Sequence, residues 1–526
     1  MALARTRAVV LVGVEGRAVE VEADITAGLP GMSIVGLPDT AVGESRDRAR
    51  AAVLNSGLPW PLTRITVGLS PASLPKRGSS LDLAVAVGVL AAQGEVPGEA
   101  LEGVVMVGEL ALDGRVRAVP GVLVVAVTAL RMGADTIVVP AANGQEAALV
   151  PGLRVVAVTC LRELVAVLRG EPSEPYVVTV VAWSGLDPEA DHGQPQARQV
   201  PDLRDVRGHL MGRLALELAA AGGHHLALLG SPGVGKTMLA ERLPGLLPDL
   251  TADQALEVTS VHSVAGRLAP GGGLVTTAPF AAPHHTMTLA AMVGGGSGST
   301  PRVGLASLAH RGVLFLDEAP EFDPGVLDCL RQPMESGEVT VSRAGFSLTL
   351  PARFQLVLAA NPCPCGRALD PVLAGSQPCT CSAHQRRRYL GRLSGPLLDR
   401  VDLRLVLDRP NAADLAFGEA QAEASAIVAA RVAAARERAA HRLRGTPWLT
   451  NGEVPGPELR RRFSPDLEGT AALDRMLRSP DISARGVDRV LRLAWTVADL
   501  AGRTRPGLAD VRAAQGLRSA EGRWAA

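Results

Sequence analysis

Three features of the sequence predict a multidomain α/β protein. The chain has 526 residues, far more than one ordinary hydrophobic core organises, so two to four domains are expected. Residues 1–170 alternate short Val-rich strands with helical stretches, an α+β pattern. Over 201–409, apolar strands end in Gly-rich loops and lead into helices, the signature of a parallel sheet.

Taken in order, the opening MALARTRAVVLVGVEG sets two arginines before an apolar run, as a signal peptide does. The run stops at Gly13, Glu15 follows and no small-residue cleavage pattern lies behind it, so a first strand is expected. DTAVGESRDRARAAVLNSG and SLDLAVAVGVLAAQG read as helices of the same domain. Over 171–200, Pro, Gly, Gln and acidic residues break every periodicity, which marks an interdomain linker. HLALLG, GVLFLDE and FQLVLAANP then read as buried strands. Residues 410–526 read as a helical domain, with EAQAEASAIVAARVAAARERAAHRL and three further helical stretches. No window approaches eighteen uncharged apolar residues, so no membrane span is expected.

The formal net charge is zero and names no partner. Arginine replaces lysine nearly everywhere; only Lys76 and Lys236 remain. Lys236 sits in GSPGVGKT, where Gly230, Gly235, Lys236 and Thr237 satisfy the G-x-x-x-x-G-K-[ST] pattern between an apolar strand and a helix. Across Gly230, Ser231, Pro232, Gly233, Val234 and Gly235, backbone N–H groups can curl around phosphate oxygens, aided by the positive end of the following helix. A lysine ammonium on its thin stem reaches between β- and γ-phosphates, whereas a planar guanidinium would crowd the loop. ATP is the expected ligand.

GVLFLDE ends in Asp317 and Glu318. A carboxylate there can hold Mg²⁺, and its neighbour can orient and deprotonate an attacking water. Asn361, at the end of the next buried strand, is placed to report on the γ-phosphate, or it is a turn residue before Pro362. Arg400 in SGPLLDRVDLRL stands at a helix end and Arg485 in SPDISARGVDRVLRLA at a helix start; on spacing alone either reads as a surface residue.

Six cysteines occur, and Cys363, Cys365, Cys379 and Cys381 fall within nineteen positions. This local cluster suits a cytoplasmic protein and not a disulfide framework. Two C-x-C pairs suit a tetrahedral Zn²⁺ site; reduced free thiols and redox pairs are the alternatives.

With these residues in place, the chain closely resembles the ComM/YifB family of magnesium-chelatase-like AAA+ ATPases. PHHTMTLAAMVGGG, GEVTVSRAGFSLTLPARFQLVLAANPCPCG, SGPLLDRVDLRL and ISARGVDRVLRLAWTVADLAG carry the match. The resemblance implies an ATPase ring, a homo-hexamer, with Lys236, Thr237, Asp317, Glu318 and Asn361 serving one nucleotide. Arg400 would be a finger reaching the neighbour's ATP and Arg485 the lid's sensor arginine. The implied partner is DNA, met by an insertion over 287–300 and by the EVTVSRAGFSLTL hairpin, whose alternation also reads as a hairpin; Arg343 is its candidate phosphate contact. Resemblance to the competence members implies a helicase that drives branch migration; a motor remodelling a protein partner is the alternative.

In one departure from the family pattern, TAPFAAPHH has Ala278 and Ala281 where arginines are usual, before His284 and His285, which are active-site polar groups or structural ones. The N-terminal segments resemble the Lon-protease fold shared with ribosomal protein S5. Lon chemistry needs a serine activated by a lysine. Ser80 aligns with the nucleophile, but Leu123 occupies the lysine position, so a noncatalytic module is expected.

Overall fold

A computed structural model describes residues 2–171, 176–178, 200–269, 272–295, 302–343, 346–368, 378–410, 422–479 and 482–518. Its N-terminal part is built on an eight-stranded mixed sheet. The first strand, Ala2–Val12, pairs antiparallel with Glu15–Thr26 through the turn at Gly13, whose φ is +68°. Helix Asp82–Gln93 is apolar on all sides and almost wholly buried, packing against both of these strands. Most of the expected linker lies outside the described residues. Tyr176–Val178 from it joins the sheet as an edge strand beside Arg154–Val158.

The central sheet has five parallel strands in the order Phe280–Ala281, Val313–Leu316, Gln355–Ala360, Leu226–Gly230, Leu403–Leu407. Its three inner strands are buried on both faces, which is why they read as unbroken apolar runs. Along Leu226–Gly230, Leu226 and Leu228 enter one core while Ala227 and Leu229 enter another. The first of these cores also takes Val432 of helix Ser425–Leu443 and Val487, Val490 and Leu491 of helix Ala484–Leu500. The C-terminal helices therefore share a core with the sheet.

Among the described residues four helices follow Leu443, at Gly456–Arg462, Leu467–Arg478, Ala484–Leu500 and Leu508–Gly516, one more than the sequence pattern suggested. The N-terminal part docks on helix Ala252–Val264. Ser263 Oγ donates to Glu146 Oε1 at 2.5 Å, Gly121 N–H donates to Ser263 O at 3.1 Å, and Leu256 and Leu274 pack into the N-terminal core.

Candidate nucleotide site

A parallel strand presents its end, and the loop that follows it, at one edge of the sheet. Leu226–Gly230 ends there in the turn that carries Ser231 to Gly235. Gly233 and Gly235 have φ of +75° and +94°, a conformation that favours glycine. A Cβ on Gly230 would lie 2.7 Å from Val234 Cγ1 and 2.9 Å from Leu407 O, so the turn closes only without a side chain. The following helix is short, Lys236–Ala240, and gives way to a 3₁₀ turn at Pro244, which has no N–H to continue the ladder.

Lys236 is buried, and its Nζ donates to Gly230 O at 2.7 Å, Ser231 O at 3.0 Å and Asn361 Oδ1 at 3.0 Å. Burial pushes its pKa down to about 8, against the pull of Asp317 and Glu318. A bound polyphosphate would push it back up. Thr237 Oγ1 donates to Asp317 Oδ2 at 2.7 Å, the pairing expected of two groups that share a divalent cation. Glu318 is exposed and has φ of +49°, a strained setting for a non-glycine residue at a candidate reacting position. His285 Nδ1 lies 3.7 Å from Glu318 Oε2, with the His284 ring stacked behind it at 4.1 Å between centroids. The closed turn, the lysine aimed along it and the Thr–Asp pair fit a Mg-nucleotide.

Arg400 and Arg485 lie elsewhere. Both line a cavity of about 530 Å³ with Gly223, His225, Gly312 and Gln355, residues at or just before the beginnings of three parallel strands. Lys236, Asp317, Glu318 and Asn361 follow the ends of these strands. The two groups are thus separated by the length of the strands, about 16 Å for a five-residue strand. Arg485 sits with Arg400 and not beside the turn 230–237 of its own chain. Helix Ala484–Leu500 is held at that edge by a buried network. His224 Nδ1 bonds Asp402 Oδ2 at 3.0 Å, His224 Nε2 bonds Thr496 Oγ1 at 2.7 Å, and Arg489 donates to Asp402 Oδ1 at 3.0 Å.

Arg400 is mostly covered, paired with Glu335 and donating to Pro396 O at 2.6 Å. Glu335 had no signal in the sequence, being one acidic residue before a turn. Ala278 lines the same cavity, so an arginine there would add to the cationic face; Ala281 instead pairs in the sheet with Leu314.

Arg343 ends the strand Glu338–Arg343, paired with Phe346–Pro351 in the expected hairpin. Its side chain and the tip, 344–345, lie outside the described residues, as do 296–300 of the insertion. In the N-terminal part, Leu123 is fully buried and Lys76 Nζ donates to Leu69 O at 2.9 Å and to Pro71 O. Neither offers a free base to Ser80. The sulfurs of Cys363, Cys365, Cys379 and Cys381 all lie within 4.8 Å of one another.

A parallel sheet with a glycine-rich turn and a Thr–Asp pair at its carboxyl edge, fused to a helical C-terminal part, defines a protein of the AAA+ class. Residues 202–415 match the family model described as magnesium chelatase, subunit ChlI; 21–143 match subunit ChlI of Mg-chelatase, and 422–518 its C-terminal model. The chain is 51% identical over 522 residues to the uncharacterized protein Rv2897c of Mycobacterium tuberculosis, covering 98% of this chain and 99% of that one. It is 41% identical to the uncharacterized protein YifB of Escherichia coli over 501 residues, 95% of this chain and 93% of the other. Competence protein ComM of Haemophilus influenzae is 37% identical over 490 residues, 93% and 92% of the two chains. The chain belongs to the magnesium-chelatase-like family, in its ComM/YifB group.

Proposed function

We propose that the chain binds Mg-ATP at the turn 230–237 and hydrolyses it within a ring, a hexamer, that acts on DNA. The observation that carries this reading is the 2.7 Å bond from Thr237 to Asp317 beside the Lys236–Asn361 contact. Lys236 lies to pair with the β- and γ-phosphates, and Thr237 and Asp317 hold the cation. A Mg²⁺ ion held there would supply charge neutralisation to the phosphates. Glu318 takes the proton of the attacking water, with His285 and Asn361 holding its surroundings.

Arg400 and Arg485 share a cavity at the far edge of the sheet, so both act on a neighbour's nucleotide. Arg400 must leave Glu335 to do so, which leaves an isolated chain slow. The ComM relative is named for competence, and the Glu338–Pro351 hairpin is the candidate DNA element, so branch migration during DNA integration is the proposed task. The four gathered sulfurs fit a Zn²⁺ ion. The magnesium-chelatase family models favour a second reading, a motor that remodels a protein partner.

Nucleotide binding and turnover test the site. Lys236→Ala should lose ATP binding, and Glu318→Gln should bind ATP but not hydrolyse it. Native affinity in Lys236→Ala would refute the assignment.

A further inference from the structure

Cys363, Cys365, Cys379 and Cys381 are free thiols, and Cys363 is fully buried. Their sulfurs lie 3.3 Å (Cys363–Cys365), 3.7 Å (Cys363–Cys379) and 3.5 Å (Cys365–Cys379) apart. Four thiolates at about 2.3 Å from one zinc ion form a tetrahedron with edges of about 3.8 Å. The cluster is therefore gathered to nearly that size, from two short segments separated along the chain.

What this site touches gives it a role. Gly366 closes a turn onto Cys363 through an N–H to O bond of 2.9 Å, with φ of +77°. It packs directly on the phosphate loop: a Cβ at Gly366 would lie 2.5 Å from both Cδ and Cγ of Pro232. On its other side the same turn continues from Asn361, which holds Lys236 at 3.0 Å. The segment 361–366 thus braces the nucleotide turn at Pro232 and at Lys236. A metal ion held by Cys363 and Cys365 would fix that segment.

We propose that the four cysteines form a structural zinc site that acts as a positioning brace for the phosphate loop, so that nucleotide affinity depends on the metal. Binding is an exchange: Zn²⁺ takes four thiolates and the thiols release their protons, with no redox change. The coupling rests on the ATP reading above; the metal site does not.

The test uses the full-length chain. Elemental analysis of the purified protein should give one zinc per chain, and titration with a mercurial should release it. Cys379→Ser/Cys381→Ser should lose zinc, and its affinity for a fluorescent ADP analogue should fall by at least about fivefold. Gly366→Ala should keep zinc and still lose affinity to the same degree, because the added methyl meets Pro232 with the cysteines untouched. This variant answers the question if the serine variant does not fold.

Metal-free native protein with Cys–Cys disulfides in its mass spectrum would overturn the site. Native affinity in Gly366→Ala would overturn the brace. A zinc-loaded native chain that binds no nucleotide would overturn the ATP reading, and the brace with it, while leaving the metal site standing.

Discussion

Lys76 and Lys236, the two lysines in the chain, both bury their ammonium groups against backbone carbonyls. A guanidinium is planar and wider, so neither pocket accepts the arginine used almost everywhere else. The same replacement should have different consequences. Lys76→Arg overpacks a closed site and should lower stability by about 1–3 kcal/mol, read from the denaturant midpoint. Lys236→Arg should leave the fold intact and remove nucleotide binding, read by calorimetry. The sequence made Lys236 legible because its spacing from Gly230 and Gly235 is a chemical pattern. Lys76 had no such pattern, and only the carbonyls of Leu69 and Pro71 explain it. Thr237, Asp317 and Asn361 were legible too, since strand ends in a parallel sheet converge on one edge. Gly366 was not, because its meeting with Pro232 joins segments over a hundred residues apart.

At the scale of elements, helix Ala484–Leu500 could be read from its periodicity, but not the edge of the sheet on which it would settle. That placement is decided by pairings between distant residues: His224, Asp402, Arg489 and Thr496. Burial pushes the Asp402 carboxyl up, yet Arg489 and His224 outweigh this and hold it well below the usual carboxylate range. Asp402→Ala would leave Arg489 partly buried and without its charge partner. Such breaks cost about 3–5 kcal/mol, so a large loss of thermal stability is expected by calorimetry. The same region sets a pH dependence. His225 Nδ1 accepts the Leu356 N–H at 3.0 Å, so the ring must be neutral there, and burial pushes its pKa down from 6.5 to about 4. The unfolded chain binds this proton first as pH falls. Stability is therefore full above about pH 6.5 and declines toward pH 4. His225→Gln keeps an acceptor and should flatten this slope in denaturation curves taken across that range.

For the whole molecule, Arg400 and Arg485 lie at the opposite end of the strands from the turn 230–237; under the proposed function each chain would hold two halves of different sites. Arg400→Ala and Glu318→Gln protomers, each inactive alone, should regain some turnover when mixed into one ring. Absence of rescue in rings shown to be mixed would count against a finger acting in trans. The most direct test of the central claim is ATP hydrolysis by the purified chain with and without single-stranded and forked DNA, across a salt series. Phosphate contacts release counterions, so the predicted result is stimulation by DNA that fades as salt rises. A response unchanged by DNA, from protein shown to form rings, would contradict it.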